Sequence, residues 1–151
     1  MDSCPFCEIA TPERDACRAW ETETLAVFAD HRPIREGHVQ IVTRAHYETF
    51  DCLPAPLAAE MVLLGQRIAR VQKALYNVER VGFVFTGNEV AHVHAHVLPL
   101  HARDDITSAR YGTGAARYVS SAEQAKVAAQ LRLALAAQSA SQLAFRPGSD
   151  V

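Results

Sequence analysis

Apolar residues change their period along this chain, and the changes mark out its elements. Over residues 56–76, Leu57, Met61, Leu64, Ile68, Val71 and Leu75 recur four and three positions apart. That spacing lays all six on one face of a helix. Pro56 near its start is tolerated because the first helical amides have no intrahelical partner. A second helix is predicted over residues 121–137, with Val127, Leu131 and Leu135 inward. Ser120 and Glu123, three apart, form the pattern of a capping box. Shorter runs rich in β-branched and aromatic residues predict strands at Leu25–Ala29, 39–42, 81–85 and 92–98, and a weaker one at 19–21. Residues 30–37 and 87–89 read as turns, and 102–118 as a loop over one edge. The order is strands, long helix, strands, helix. It predicts an α+β fold with a largely antiparallel sheet rather than an alternating doubly wound one.

Composition narrows the function. A chain of 151 residues suits one domain, 1–151, and buries roughly 70% of its unfolded surface, so it needs no disulfide or metal to build a core. A net charge of −2 supplies no basic face for nucleic acid. No apolar run is long enough to cross a bilayer, and the first residues lack the charged-then-apolar order of a secretion signal. A cytoplasmic location is expected, in which Cys4, Cys7, Cys17 and Cys52 are thiols or metal ligands rather than disulfides. Cys4-x-x-Cys7 has zinc spacing, but redox pairs share it; no strand before Cys4 and no helix after Cys7 are predicted, which counts against a thioredoxin-like role.

The chemistry concentrates in His92-Val93-His94-Ala95-His96-Val97-Leu98. In a strand, successive side chains alternate faces. Three imidazoles then line one face while Val93, Ala95 and Val97 enter the core. Setting three titratable groups side by side costs desolvation and charge repulsion, so the row points to function. Two chemistries suit it. Neutral imidazoles ligate zinc, which here would make a metallohydrolase with all three histidines on one ion. An imidazole nitrogen also attacks phosphorus when its other nitrogen donates a hydrogen bond, and neighbouring imidazoles stabilise the charge that develops. Spacing alone leaves both open.

The segment resembles the signature of the histidine-triad (HIT) family, His-φ-His-φ-His-φ-φ with φ apolar, at every position, and Pro99 follows as in many members. Cys4-Pro5-Phe6-Cys7-Glu8-Ile9, Leu25-Ala26-Val27-Phe28-Ala29-Asp30 and Gly37-His38-Val39-Gln40-Ile41-Val42 with His46 resemble family segments as well. The resemblance covers about residues 4–101, the core of the domain. It implies a five-stranded antiparallel sheet with a long helix and a C-terminal helix, paired as a homodimer. It implies a hydrolase acting at the α-phosphate of a nucleoside phosphoramidate, dinucleoside polyphosphate or adenylylated metabolite, through a nucleotidyl-histidine intermediate. His94 is then the nucleophile, with His96 and His38 on the phosphate oxygens. Phe6, Ile9, Phe28 and His31 match positions around the base, expected to be a purine, and the sugar. Asp30 matches a ribose-binding carboxylate, and Asn88 a polar contact beside the phosphate. A subset of the family binds structural zinc through residues matching Cys4, Cys7, His46 and His92, while Cys17 and Cys52 are read as small apolar residues.

Two departures from the family pattern stand out. Asn88-Glu89-Val90-Ala91 shortens the loop before the triad and removes its usual hydroxyl contact. Leu100 stands where an arginine often follows the proline. The short loop keeps a second function in view, a nucleotide-binding regulatory or scaffold protein with little turnover.

Overall fold

The computed structural model describes residues 4–11, 17–87, 89–106 and 117–144. In chain order the elements are α1 (Pro5–Ile9), β1 (Arg18–Glu21), β2 (Leu25–Ala29), β3 (Val39–Thr43), a 3-10 turn (Phe50–Cys52), α2 (Ala55–Tyr76), β4 (Arg80–Phe85), β5 (His94–Leu100) and α3 (Ser121–Ala144). The strands form one sheet in the order β1-β2-β3-β5-β4, antiparallel throughout. The expected α+β architecture is therefore present.

Both long helices pack on one face of the sheet, α2 over β4 and β5 and α3 over β1 and β2. Between them lies a core in which Val27, Ile41, Ala95 and Val97 meet Met61, Ile68, Leu131 and Leu135. Val93, Ala95 and Val97 do enter it, so the alternation of the histidine segment sends its aliphatic residues inward. The opposite face carries a smaller apolar cluster, Ala26, Phe28 and Val42, with Phe6 and Ile9 of α1 packed on it. This second face holds the polar chemistry.

α3 is integral to the core. Ser120 and Glu123 make the predicted capping box, Glu123 N–H donating to Ser120 Oγ at 3.2 Å and Ser120 N–H to the Glu123 carboxylate at 2.8 Å. Leu131 and Leu135 are fully buried. Replacing a buried leucine with alanine removes transfer energy and leaves a cavity, at a cost of about 2–5 kcal/mol. Leu131→Ala is expected to lose that much in urea unfolding; a loss below about 1 kcal/mol would show that α3 does not complete the core.

Several elements differ from the sequence reading. β5 begins at His94, not His92: His92 N–H turns to the Val90 carbonyl and Val93 N–H to that of Tyr47, so the ladder to β3 starts where His94 faces Val42. α1 was not predicted; it is five residues long, less than two turns, and shows no period. It carries Cys7, where no helix was expected. α3 runs on to Ala144, past 137. Leu75 is 43% exposed, because α2 ends two residues later in the left-handed cap Asn77.

The turn before β3 is tightly held. Gly37 has φ +91°, and a Cβ there would collide with the ring of Tyr76. Its carbonyl accepts from the fully buried Gln72 amide, which also donates to the Val97 carbonyl. Asp105, buried, takes Arg35 on one oxygen and the His101 and Ala102 N–H groups on the other. The loop leading to His38 is thus pinned to both α2 and the end of β5.

Candidate active site

Two clusters grow from the second face. The first joins Cys4, just before α1, Cys7 within it, His46 after β3 and His92 before β5. Cys4 Sγ and Cys7 Sγ lie 3.3 and 3.5 Å from His92 Nδ1; His46 Nδ1 lies 3.3 Å from Cys7 Sγ and 3.2 Å from His92 Nδ1. His92 Nε2 faces the Thr43 carbonyl at 2.8 Å. A carbonyl only accepts, so Nε2 carries the proton and Nδ1 turns its lone pair to the thiols. A metal-ligating histidine is commonly held by just such an outer hydrogen bond. The spacing fits zinc. With Zn–S near 2.3 Å and Zn–N near 2.0–2.1 Å, a tetrahedron sets nitrogens about 3.3 Å apart and sulfur from nitrogen about 3.6 Å.

The second cluster is His94, His96, His38 and Asp30. His94 Nδ1 faces the His92 carbonyl at 2.7 Å, so Nδ1 holds the proton and the lone pair lies on Nε2. The Ile34 N–H donates to His38 Nδ1 at 3.1 Å. His38 must then carry its proton on Nε2, which donates to His96 Nδ1 at 2.9 Å. His96 in turn presents Nε2–H, 3.4 Å from the Thr86 hydroxyl. Backbone groups thereby fix every tautomer in the row.

Asp30 is nearly enclosed. One carboxylate oxygen accepts the Arg32 N–H at 2.7 Å; the other accepts the Gln40 amide at 2.6 Å and lies 3.5 Å from His38 Nε2 and 3.8 Å from His96 Nδ1. Burial pushes its carboxyl up, but His38, Gln40, the Arg32 amide and His96 together hold it below the usual range. Burial drives His38 down against the pull of Asp30. It drives His96 down to about 3, with His38 and His94 adding to the effect and Asp30 opposing it.

These shifts have a sign for stability. Folded His38 and His96 resist protonation, whereas an unfolded histidine protonates near pH 6.5. Below that pH the unfolded chain binds more protons, so stability is complete above about 6.5 and lost as pH falls toward about 3. The depressed Asp30 carboxyl acts in the same direction at the acid end. Tm is expected to fall between about pH 6.5 and 4, and His96→Asn to flatten the fall; a Tm that rises on acidification would contradict it.

Among the described residues, two groups bring three or more donor atoms within 4.8 Å: Cys4, Cys7, His46 and His92, and Asp30, His38 and His96. Neither unites the three triad histidines, which removes the geometry of a metallohydrolase built on all three. In the second group the proton that Ile34 forces onto His38 Nε2 occupies the lone-pair position a metal would need. That group is a hydrogen-bonded relay.

A cavity of about 480 Å³ opens on His94 and His96. Phe6, Ile9, Phe28, Asp30 and His31, all singled out in the sequence, border it. Asn88 lies outside the described residues. Gln40, Thr86, Cys17, Ser121 and Gln124 border it too and were not anticipated. Gln40 alternates with the apolar positions of β3, a pattern shared with any half-exposed strand. Ser121 and Gln124 arrive from the start of α3, where Gln124 donates to the Ala29 carbonyl at 3.0 Å. Cys17, read as an ordinary apolar residue, sits at φ +52° on the cavity wall, and Cys52 is exposed. The shortened loop supplies no hydroxyl of its own, but the residue before it does: Thr86, just past the end of β4, sets its hydroxyl 3.4 Å from His96 Nε2.

The HIT domain model matches residues 11–103, and the chain belongs to the HIT family. An uncharacterized HIT-like protein of Methanocaldococcus jannaschii is 32% identical over 105 residues, spanning 67% of this chain and 81% of its own. The adenosine 5′-monophosphoramidase of Saccharomyces cerevisiae is 30% identical over 98 residues, 64% of this chain and 62% of its own. A zinc-bound histidine triad family protein from Mycobacterium smegmatis has a similar structure, with a TM-score of 0.75 at 26% identity, covering 92% of this chain and 97% of its own.

Proposed function

We propose that the protein is a nucleotide hydrolase that takes a nucleotidyl group onto His94 and passes it to water. The observation that carries this reading is the tautomer of His94: the His92 carbonyl holds its Nδ1 proton and leaves the Nε2 lone pair at the cavity that His96 also borders. Phe6, Ile9 and Phe28 give the apolar part of that cavity to the base, expected to be a purine, as most ligand sites pair apolar walls with a few polar groups. Asp30 and His31, which border the same cavity, are assigned to the ribose. His94 Nε2 forms a bond to the α-phosphorus as the bond to the leaving group breaks. His96 Nε2–H, with His38 behind it, stabilises the negative charge on the phosphate oxygens. Water then displaces His94 and releases a nucleoside monophosphate. Nucleoside phosphoramidates, dinucleoside polyphosphates and adenylylated metabolites all present the required phosphorus.

Cys4, Cys7, His46 and His92 form a donor set for structural zinc. When bound, the ion would supply a closed cross-link away from the reacting phosphorus. Its four ligands come from α1, the end of β3 and the start of β5, so the ion would fix α1, and with it Phe6 and Ile9, against the sheet.

The reading is tested by incubating the protein with an adenosine 5′-phosphoramidate, a dinucleoside polyphosphate and an adenylylated carboxylate, and following adenosine 5′-monophosphate. Release from at least one is expected. Tight nucleotide binding with no turnover of any would replace the hydrolase by a binding protein.

A further inference from the structure

On the second face of the sheet Phe28 lies opposite Gln40, and Gln40 opposite His96, on three neighbouring strands. Gln40 therefore stands between the apolar wall of the cavity and the histidine relay. It gives its amide N–H to Asp30 Oδ2 at 2.6 Å, while its own oxygen is buried with no donor facing it among the described residues. A buried acceptor left unmet costs free energy, so the arrangement favours holding the Asp30 carboxylate over satisfying Gln40.

The polarity of the relay gives that carboxylate a use. Ile34 N–H donates to His38 Nδ1, and His38 Nε2–H donates to His96 Nδ1. A proton added at His96 Nδ1 would meet the His38 N–H head on, so one of the two N–H groups must find another acceptor. Asp30 Oδ2 lies 3.5 Å from His38 Nε2 and 3.8 Å from His96 Nδ1. Those distances exceed a good hydrogen bond, but they set one oxygen beside both atoms. Among the described residues the titratable groups facing the pair are His94 and Asp30, and of these Asp30 is the anion.

Resting on the hydrolase reading, we propose that Asp30, in addition to any hold on the ribose, is a positioning residue: it accepts the displaced N–H and lets the His38–His96 pair carry the proton that the leaving group needs. Gln40 fixes the oxygen that does so. Burial keeps the free pair neutral, whereas a carboxylate on one side and a bound phosphate on the other favour its charged form. With Nδ1–H held on Asp30, His96 Nε2 is free to act as acid and then as base, as a histidine does when a carboxylate holds its other nitrogen.

The step balances. The pair takes one proton from solvent as substrate binds, and His96 then carries N–H groups on both nitrogens. His94 Nε2 bonds to phosphorus as the bond to the leaving atom breaks. That atom keeps the electron pair and takes the proton from His96 Nε2. Water then adds to phosphorus, the bond to His94 breaks, and one water proton moves to His96 Nε2. The other stays with the monophosphate, and the pair is ready for the next turnover.

Two substrates that share the adenosine 5′-phosphoryl group test this: the phosphoramidate, whose departing nitrogen needs a proton, and the phosphofluoridate, whose fluoride does not. Asp30→Asn keeps the shape and removes the charge. It is expected to lower kcat about a hundredfold on the phosphoramidate, the lower scale of a lost proton transfer, and less than about tenfold on the phosphofluoridate. The alkaline limb of the phosphoramidate pH profile is expected to move to lower pH, since a pair without its anion gives up its proton sooner. Gln40→Leu is expected to show the same selectivity at smaller size. The selective loss should persist with both substrates built on 2′,3′-dideoxyadenosine, which lacks the hydroxyls that a ribose anchor holds. Equal losses on the two leaving groups would overturn the proposal with the hydrolase intact, and their disappearance in the dideoxy series would make Asp30 a ribose anchor only. No adenosine monophosphate from either substrate with the unsubstituted protein would overturn both.

Discussion

His94→Ala is expected to lower kcat/KM for nucleoside monophosphate release on the order of 10⁴-fold, the scale seen when a residue of a catalytic unit is removed. His94 has a role that no neighbour can take. His92 points its lone pair at Cys4, Cys7 and His46, and its proton is fixed on the Thr43 carbonyl. His96 has its Nδ1 occupied by His38 and offers a proton, not a lone pair, on Nε2. The lone pair of the row that borders the cavity is therefore that of His94. Binding of the product should suffer far less, by about 1 kcal/mol, the worth of one ordinary hydrogen bond. His96→Ala, which loses charge stabilisation but keeps the nucleophile, is expected to cost about 10²–10⁴-fold. Steady-state kinetics with isothermal titration of the monophosphate checks both variants. A His94→Ala enzyme with undiminished kcat would exclude this residue as the attacking group.

The second large effect is on stability. With zinc bound at this cluster as proposed, its removal by chelation, or loss of one donor by Cys7→Ser, is expected to cost at least about 4 kcal/mol, the linkage energy when free metal exceeds its dissociation constant a thousandfold. Set against a total stability of about 5–15 kcal/mol, that loss is severe. It corresponds to a fall in Tm on the order of 10 °C for a chain of this length. The reason is local. α1 has five residues, far too few to persist as an isolated helix; Phe6 and Ile9 pack it on the sheet, Arg18 and Arg44 hold its C-terminal carbonyls at Ile9 and Ala10, and the Cys4, Cys7, His46 and His92 cluster holds its N-terminal end. Phe6 also lies against His94, ring centroids 4.6 Å apart. Loosening α1 should therefore raise KM for the nucleotide by about tenfold while kcat changes little, since a contact made equally in ground and transition states acts on KM. Calorimetry and kinetics on the metal-loaded protein, its chelated form and Cys7→Ser measure this. An unchanged Tm would show that the cluster is not a zinc site, and a loss of kcat with an intact fold would give the metal a part in the chemistry.

The parts of this account that were legible in the sequence are those carried by short-range periodicity. Met61, Leu64, Ile68 and Val71 declared α2, and the strict alternation His92 to Val97 declared which side chains share a face. Leu75 broke the pattern: it lies in the last turn of α2, just before the Asn77 cap, and is exposed. Contacts made by the tertiary fold were not legible. Nothing in the order of residues shows that the Ile34 amide sets the proton on His38, or that this proton points to His96 some 58 positions away. Thr86 and Gln124 have no local mark either; one reaches the cavity because β4 ends there, the other because α3 crosses β2. The resemblance to a family supplied the identities of His38 and His46, which spacing alone would have passed over. Asp30 illustrates the limit of that help. Its carboxylate faces His38, His96 and Gln40 closely, a placement that a matching motif position does not convey.

The central claim is that His94 carries the nucleotidyl group. It is tested most directly by mixing enzyme with an adenosine 5′-phosphoramidate, quenching within one turnover, and mapping the adduct by peptide mass spectrometry. One adenylyl group is expected on the peptide spanning His94, located on that residue and absent from His94→Ala. Turnover to adenosine monophosphate with the chain unmodified at every time point, or with the adduct on His92 or His96, would contradict it.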